Sequence, residues 1–337
     1  MKRCFELARK GHPLTYPNPL VGSVIVHHDT IIGEGYHTGY GNPHAEVEAI
    51  HAVKDKSLLS ESTLYVNLEP CSHHGKTPPC ADLIIKHKIP RVVISNLDPH
   101  DKVAGQGIAR LRDSGIDVHT GILEEDGAIL NRRFMTFHSK HRPYIVLEWA
   151  ETHDGFMGRD PNDTNHSKSI SNDLANIYVH QLRAESAAIF VGTTTAIADN
   201  PSLTTRLVKG KNPLRVILDL DGKLPTTHTI FVDGEPTLVL GKNRDIANAV
   251  FEPASSTDTI FDVLTNALMS RHIDQVLIEG GANILNQCIK QDYWDEIHVL
   301  TSNDKWGSGI KAPELLGLET TTQFDLKDNS VKVYHNN

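Results

Sequence analysis

A triplet and a loop constrain this chain more than anything else in it: His44-Ala45-Glu46, and Pro70-Cys71-Ser72-His73-His74-Gly75-Lys76-Thr77-Pro78-Pro79-Cys80. One imidazole and two thiols, from His44, Cys71 and Cys80, make three zinc ligands, and a zinc with three protein ligands keeps its fourth position open for water. Glu46 is then left unligated beside the metal, able to move protons. Deaminating an amino-substituted pyrimidine or purine ring requires this set: zinc lowers the pKa of bound water toward neutrality, and a carboxylate carries its proton to the ring and then to departing ammonia. A closed structural site would instead need a fourth ligand, drawn from His73, His74 or a distant residue. The register of Glu46, two residues after a ligand, favours the open site. Eight residues separate the cysteines, and that loop is expected to line a substrate pocket.

At 337 residues the chain is longer than most single cores, so two domains are expected. A net charge of −9 argues against a nucleic-acid-binding surface, which needs clustered Lys and Arg. A small substrate fits better. No apolar run approaches the length of a membrane span, and the first residues lack the apolar core of a signal peptide, which points to the cytosol. Four cysteines are too few for a disulfide scaffold, so thiols stay available for metal. Cys4 and Cys288 read as ordinary buried small residues.

The first part alternates strands and helices, as a layered α/β sheet does. Val21 to Val26 and Ile31 to Tyr36 read as a hairpin over His27-His28-Asp29-Thr30. A helix from about His44 to Lys54, a strand Thr63 to Asn67, a helix Cys80 to His87, a strand Arg91 to Ser95, a helix Gly107 to Asp113 and a short strand near Asp117 follow. His44 and Cys80 both begin helices after a proline, the residue best tolerated where a helix starts. Helix N-termini favour thiolate over thiol, in agreement with a metal site.

Phe134 to Pro143 reads as a basic, irregular break, and we place the domain boundary at its end. The second part opens with strand Tyr144 to Trp149 and the turn Asp154-Gly155. A helix starts from Ser171, whose hydroxyl suits an N-cap, with Leu174, Ile177, Tyr178 and Leu182 as its core-facing stripe. Strands Ala187 to Val191, Leu214 to Asp219, Thr237 to Leu240, Gln275 to Ile278 and Glu296 to Leu300 follow, with helices around Ile260 to Arg271 and Ala282 to Ile289. Asp154 to Ser169 is the longest polar stretch and reads as a loop over a site.

The His-Ala-Glu triplet with Glu69-Pro70-Cys71 and Pro78-Pro79-Cys80, preceded by Pro17-Asn18-Pro19-Leu20-Val21-Gly22, resembles the deaminase half of the bifunctional riboflavin biosynthesis deaminase/reductase family. The resemblance continues through Tyr144 to Ala150, Asp154-Gly155, Val191-Gly192-Thr193, Ala198 to Arg206, Arg215 to Asp219 and Glu279-Gly280-Gly281, which are similar to the family's reductase half. It implies an α/β chain with an N-terminal cytidine-deaminase-like three-layer domain over residues 1–143 and a C-terminal dihydrofolate-reductase-like domain over 144–337. It implies hydrolytic loss of a ring amino group from a phosphoribosylated diaminopyrimidinone, then reduction of the ribosyl group to ribityl by NADPH.

By motif, His44, Cys71 and Cys80 bind one zinc per chain and Glu46 is the proton shuttle. Asn18, His73 and Lys76 would hold the pyrimidine and phosphate, although Asn18 also suits a turn between prolines and Lys76 a solvated loop. Ala150, Thr195, Asp199, Gly281, Ala282, Asn283, Ile284, Leu285, Asn286 and Gln287 would contact NADPH. Gly280-Gly281 after a strand and before a helix suits a pyrophosphate, though any tight turn uses such glycines. Ser167, Arg183, Leu203, Arg206 and Glu279 would face the substrate. Arg183 and Arg206 suit a phosphate because guanidinium pairs bidentately with its oxygens; singly, each is equally a surface charge. The resemblance further implies a homo-oligomer, dimer or tetramer, and neither nucleic acid nor membrane as partner.

The reductase pattern reads Lys-x-Ala where this chain has Glu148-Trp149-Ala150, and Leu220 stands where some relatives carry a polar residue. A carboxylate in place of an ammonium reverses the local charge by two units near a phosphate. Two rivals to the bifunctional reading follow: a deaminase whose second domain is weakened or inactive through Glu148, and a zinc-stabilised binding module with Glu46 incidental.

Overall fold

The structure, a computed structural model, describes residues 1–72, 78–100, 104–160, 169–255 and 257–336. The chain divides into two compact units, Met1–Arg142 and Pro143–Asn337.

In the first unit the two β-rich runs form the expected hairpin, β1 (Gly22–His27) and β2 (Thr30–Tyr36), turned by His28 and Asp29 in left-handed conformation. Strands β3 (Thr63–Leu68), β4 (Arg91–Asn96) and β5 (Asp117–His119) complete a five-stranded sheet in the order β2-β1-β3-β4-β5. β1 is antiparallel to β2 and β3, and β3, β4 and β5 are parallel. Among the described residues six α-helices accompany it: α1 (Lys2–Arg9), α2 (Ala45–Ala52), α3 (Cys80–Lys86), α4 (Gln106–Asp113), α5 (Glu124–Leu130) and α6 (Arg132–Ser139). Alternate strand residues face opposite layers. Ile25, Leu64, Val66, Val92 and Ile94 pack with Ala49 and Ile50 of α2, Ala81 and Ile84 of α3 and Ile108 and Leu111 of α4. Val24 packs instead with Cys4 and Leu7 of α1. The result is three layers.

α2 lies close on β2 because β2 carries glycines there. A Cβ on Gly33 or Gly35 would fall 2.4 or 2.3 Å from the backbone of Ala49, a separation no side chain sustains. That contact fixes the start of α2, where His44 is the N-cap. One expectation fails: Arg132–Ser139 of the basic break is helical, burying Phe134 and Thr136, and the irregular stretch shrinks to residues 140–143.

The second unit is built on β6 (Tyr144–Glu151), β7 (Phe156–Gly158), α7 (Asp173–Glu185), β8 (Ala188–Gly192), α8 (Thr193–Asp199), β9 (Leu214–Asp219), α9 (Thr229–Val232), β10 (Thr237–Gly241), β11 (Ala249–Glu252), α10 (Ile260–Met269), β12 (Gln275–Ile278), α11 (Ala282–Lys290), β13 (Glu296–Ser302), β14 (Ile310–Lys311), β15 (Thr322–Leu326) and β16 (Asn329–His335). Nine strands form one sheet in the order β11-β10-β9-β8-β12-β6-β13-β16-β15. The first seven run parallel, and β16 lies antiparallel to both neighbours. Strands buried on both faces read as continuous apolar runs, and β6 shows it: Ile145, Leu147 and Trp149 join one core cluster, Tyr144 and Val146 another. Part of the polar stretch expected as loop is strand, since β7 pairs with β14; residues 161–168 lie outside the described ones.

α7 departs from its expected cap and stripe. Asn172, not Ser171, is the N-cap and accepts from Ala175 N–H at 2.9 Å. Its backbone N–H donates to Asn329 Oδ1 and its side chain donates to Leu326 O, so the β15–β16 hairpin selects the cap. The helix turns Ala175, Tyr178 and Val179 toward the sheet, and Leu174 and Ile177 are exposed.

Arg215 of β9 is 1% exposed and donates to both oxygens of Asp233, at 2.6 and 2.9 Å, and to Ser202 O at 3.2 Å. It anchors the loop that carries Leu203 and Arg206. Asp233 keeps access to solvent, so what Arg215→Ala removes is a buried side chain and the donor of the Ser202 and Ile230 carbonyls; the expected cost to the second unit is about 2–3 kcal/mol, read as a lowered midpoint in urea unfolding.

Candidate active site

The three expected ligands converge. His44 stands at the N-terminus of α2 and Cys80 opens α3, each after a proline, while Cys71 follows β3 by three residues. His44 Nδ1 lies 3.3 Å from Cys80 Sγ and 3.6 Å from Cys71 Sγ, and all three ligand atoms lie within 4.8 Å of one another. Bonds of about 2.05 Å to nitrogen and 2.3 Å to sulfur at a tetrahedral angle give an N···S edge of about 3.6 Å. The donors fit zinc in type and in spacing.

Their electrostatics suit a cation. The Cys80 thiol and the His44 ring hold Cys71 well below the usual thiol range, at about 4, whereas Cys80, sealed beside that thiolate and Glu46, is pushed up. The Cys71 sulfur draws His44 up to about 9. Glu46, 3% exposed in the first turn of α2, is raised to about 7 by its burial. Cys4 and Cys288 are fully buried and their thiols rise to about 12 through desolvation, as expected of core residues.

Asn18 reaches this centre through a residue that sequence reasoning missed. Its side-chain amide pairs with His37 Nε2 at 3.0 Å, His37 Nδ1 meets Pro43 O at 3.1 Å, and the His37 and His44 rings stand edge to face with centroids 5.7 Å apart. His37 is 3% exposed, and burial lowers its pKa, favouring the neutral ring. Glu69 was also missed as a functional group although it sits in the Glu-Pro-Cys run. Its carboxylate accepts backbone N–H groups of Gly105, Gly107 and Ile108 at 2.9, 2.9 and 3.2 Å, holding the start of α4 against the Cys71 segment. His73 and Lys76 lie outside the described residues.

In the second unit, the N-termini of α8 and α11 meet at the carboxyl ends of β8 and β12. Gly192 N–H donates to Gly280 O at 3.1 Å, and a Cβ on Gly281 would fall 2.6 Å from Thr195 Oγ1. Thr195 and Gly281 are thus neighbours, and Asp199 lies one turn beyond Thr195 on the same helix. First-turn N–H groups of Ala282 and Asn283 have no partner within α11, the arrangement that receives an anion. Asn286 and Gln287 line the outer side of α11, their amides donating to Ala282 O and Asn283 Oδ1. Ile284 and Leu285 do otherwise than expected: both are buried in the core cluster, with N–H groups on Gly281 O, so they seat the helix. Ala150 packs on Ala175 and Leu300 beneath α7.

The substrate-facing set is split. Arg183 donates Nε and Nη2 to the two oxygens of Glu279 at 2.6 and 2.7 Å, so these two residues form a closed pair. Arg206 is exposed, its guanidinium on the hydroxyls of Ser202 and Thr204 and its N–H on His180 Nδ1. It is the better placed cation for a phosphate. The Leu203 side chain is 2% exposed in the core, leaving its backbone to meet a ligand. Ser167 lies outside the described residues. Leu220 packs at the edge of the larger core.

Glu148 does not act as the expected reversal of charge. It is 6% exposed, and burial pushes its carboxyl up to about 8, reinforced by Glu279 and partly offset by Arg183. Its surroundings favour the neutral form, which weakens the repulsion of a phosphate.

Residues 1–96, which hold all three ligands, match the family model described as the cytidine and deoxycytidylate deaminase zinc-binding region, and residues 143–337 match the RibD C-terminal domain. Riboflavin biosynthesis protein RibD of Bacillus amyloliquefaciens is 40% identical over 330 residues, spanning 95% of this chain and 87% of that one. The Aquifex aeolicus RibD is 38% identical over 322 residues, spanning 94% and 89%. The crystal structure of a diaminohydroxyphosphoribosylaminopyrimidine deaminase/5-amino-6-(5-phosphoribosylamino)uracil reductase from Thermotoga maritima matches with a TM-score of 0.86 at 34% identity, covering 100% of this chain and 97% of that one. The units therefore have the cytidine-deaminase-like and dihydrofolate-reductase-like folds expected of them, and the chain belongs to the RibD family of riboflavin biosynthesis proteins.

Proposed function

We propose that this chain carries out two successive steps of riboflavin biosynthesis: zinc-dependent hydrolytic deamination of 2,5-diamino-6-(5-phosphoribosylamino)pyrimidin-4(3H)-one over residues 1–143, then NADPH-dependent reduction of its ribosyl group to ribityl over residues 144–337. The observation that carries the reading is the convergence of His44, Cys71 and Cys80 with a buried Glu46 one turn into the same helix. Zinc held by these residues supplies a Lewis acid that makes water a nucleophile at neutral pH. With zinc bound, Glu46 would take one proton from the water and pass it to the ring nitrogen, then carry the remaining hydroxyl proton to the amino group, which departs as ammonia while the carbonyl forms. Asn18, oriented by His37, and the loop bearing His73 and Lys76 hold the pyrimidine and its phosphate.

In the second unit the paired helix N-termini at Thr195 and Gly281 to Asn283 receive the pyrophosphate of NADPH, with Asp199, Asn286, Gln287 and Ala150 around it. Arg206, the Leu203 backbone, Ser167 and the Arg183–Glu279 pair face the substrate. The protein supplies position and electrostatics, and the hydride is the cofactor's. We assign the enzyme to the cytoplasm, with small-molecule substrates and a homo-oligomeric state, dimer or tetramer, read by light scattering. Among the described residues no helix is long and apolar enough to cross a membrane. Mass spectrometry tests the reading: without NADPH the product exchanges one amino group for oxygen and stops, and with NADPH it then gains two hydrogens. A product that gains hydrogens while keeping the amino group contradicts the order.

A further inference from the structure

The face of the second sheet beneath α7 carries an unusual concentration of polar groups. β6 turns Tyr144, Val146, Glu148 and Ala150 to this face by strand alternation. Leu147 pairs with Ile278, so Glu279 leaves β12 beside Glu148. On the other side His298 of β13 is the register partner of Glu148. Tyr178 and Arg183 come down from α7.

Each of these neighbours is engaged. Arg183 and Glu279 form the bidentate pair, and His298 sits between Tyr178 Oη at 2.8 Å and Glu296 Oε1 at 2.9 Å. Glu148 alone, buried among them, makes no hydrogen bond to any described residue. An unpaired carboxyl this deep is costly as a carboxylate. It lies within β6, level with Glu279, which follows the carboxyl end of β12 and precedes Gly280-Gly281; open α/β sheets bind their ligands beyond such strand ends.

The inference rests on the reductase reading. Converting a ribosyl to a ribityl group opens the sugar: C1′ receives a hydride from the nicotinamide, the C1′–O4′ bond breaks with its electron pair on O4′, and O4′ must take one proton. We propose that Glu148, as a neutral carboxylic acid, holds the proton that passes to the sugar ring oxygen, making it the general acid of the reducing step. The carboxylate left behind is stabilised by Arg183 and regains its proton from solvent, so one NADPH and one proton are consumed per turnover. Burial and the nearby Glu279 carboxylate favour the neutral form, Arg183 opposes it in part, and Tyr144 of β6, Tyr178 of α7 and His298 and Glu296 of β13 are further titratable groups on this face.

The reducing step is isolated by supplying full-length protein with the deaminated intermediate and recording NADPH oxidation from about pH 6 to about pH 10. Wild type is expected to lose kcat as pH rises through the Glu148 titration. Glu148→Gln, isosteric but without a proton to give, is expected to lower kcat by about 10²- to 10⁴-fold and to flatten that limb. Its NADPH affinity, read by fluorescence titration, is expected to stay within about twofold of wild type, well under one decade of binding energy. A Glu148→Gln enzyme that keeps the wild-type rate, or the same limb at a lower rate, overturns the assignment. Wild-type protein that binds NADPH yet oxidises none with this intermediate contradicts the reductase reading itself, which separates the two failures.

Discussion

Replacing Glu46 by glutamine is expected to reduce ammonia release by about 10³-fold while zinc content and folding are retained. Glutamine keeps the shape of a residue that is 3% exposed on the α2 turn touching the metal ligands, so nothing in the packing changes. What disappears is the group that accepts the proton of water and delivers it to the ring. Reduction of supplied deaminated intermediate provides the control, because that chemistry belongs to the other unit. Metal analysis and far-ultraviolet circular dichroism on the same sample complete the test. Unchanged ammonia release with Glu46→Gln would mean that the carboxylate is incidental and that His44, Cys71 and Cys80 merely staple the domain.

The second large effect concerns the cofactor cradle. Gly281 has an ordinary φ of −78°, so backbone strain is not the reason for glycine there. Space is: a Cβ would fall 2.6 Å from Thr195 Oγ1. Gly281→Val drives a branched side chain into the gap between the starts of α8 and α11, where the phosphates must approach backbone N–H groups. NADPH affinity is expected to fall by about 100-fold, roughly 2.8 kcal/mol, in a fluorescence titration, with ammonia release unchanged. Equal affinity for the variant would place the pyrophosphate elsewhere.

How much of this was legible beforehand depends on what kind of information each feature needed. The metal ligands are a matter of residue type and spacing, and helix starts after Pro43 and Pro79 put them at the right ends of α2 and α3. Strands buried on both faces, such as β6 and β9, announce themselves as apolar runs. The helix Arg132–Ser139 was hidden because its basic residues suggested a linker, although Phe134 is what it buries. The C-terminal hairpin was missed although Val331 and Val333 alternate as a strand does, and without it nothing moved the cap of α7 from Ser171 to Asn172.

Roles that depend on burial or on partners distant in sequence were not readable. His37 gains its place from the Pro43 carbonyl and Asn18, and Glu69 from backbone N–H groups some 36 to 39 residues away. Glu148 shows the limit best. As a letter it is a carboxylate where a lysine is expected, yet desolvation beneath α7 favours its neutral form.

The most direct test of the account gives zinc-loaded protein the phosphoribosylated diaminopyrimidinone with excess NADPH and follows ammonia and nicotinamide absorbance together. Ammonia is expected first, then NADPH loss approaching one equivalent per ammonia released. Ammonia with no loss of NADPH would contradict it, leaving a deaminase joined to a silent reductase fold and making Glu148 the first residue to revert to lysine.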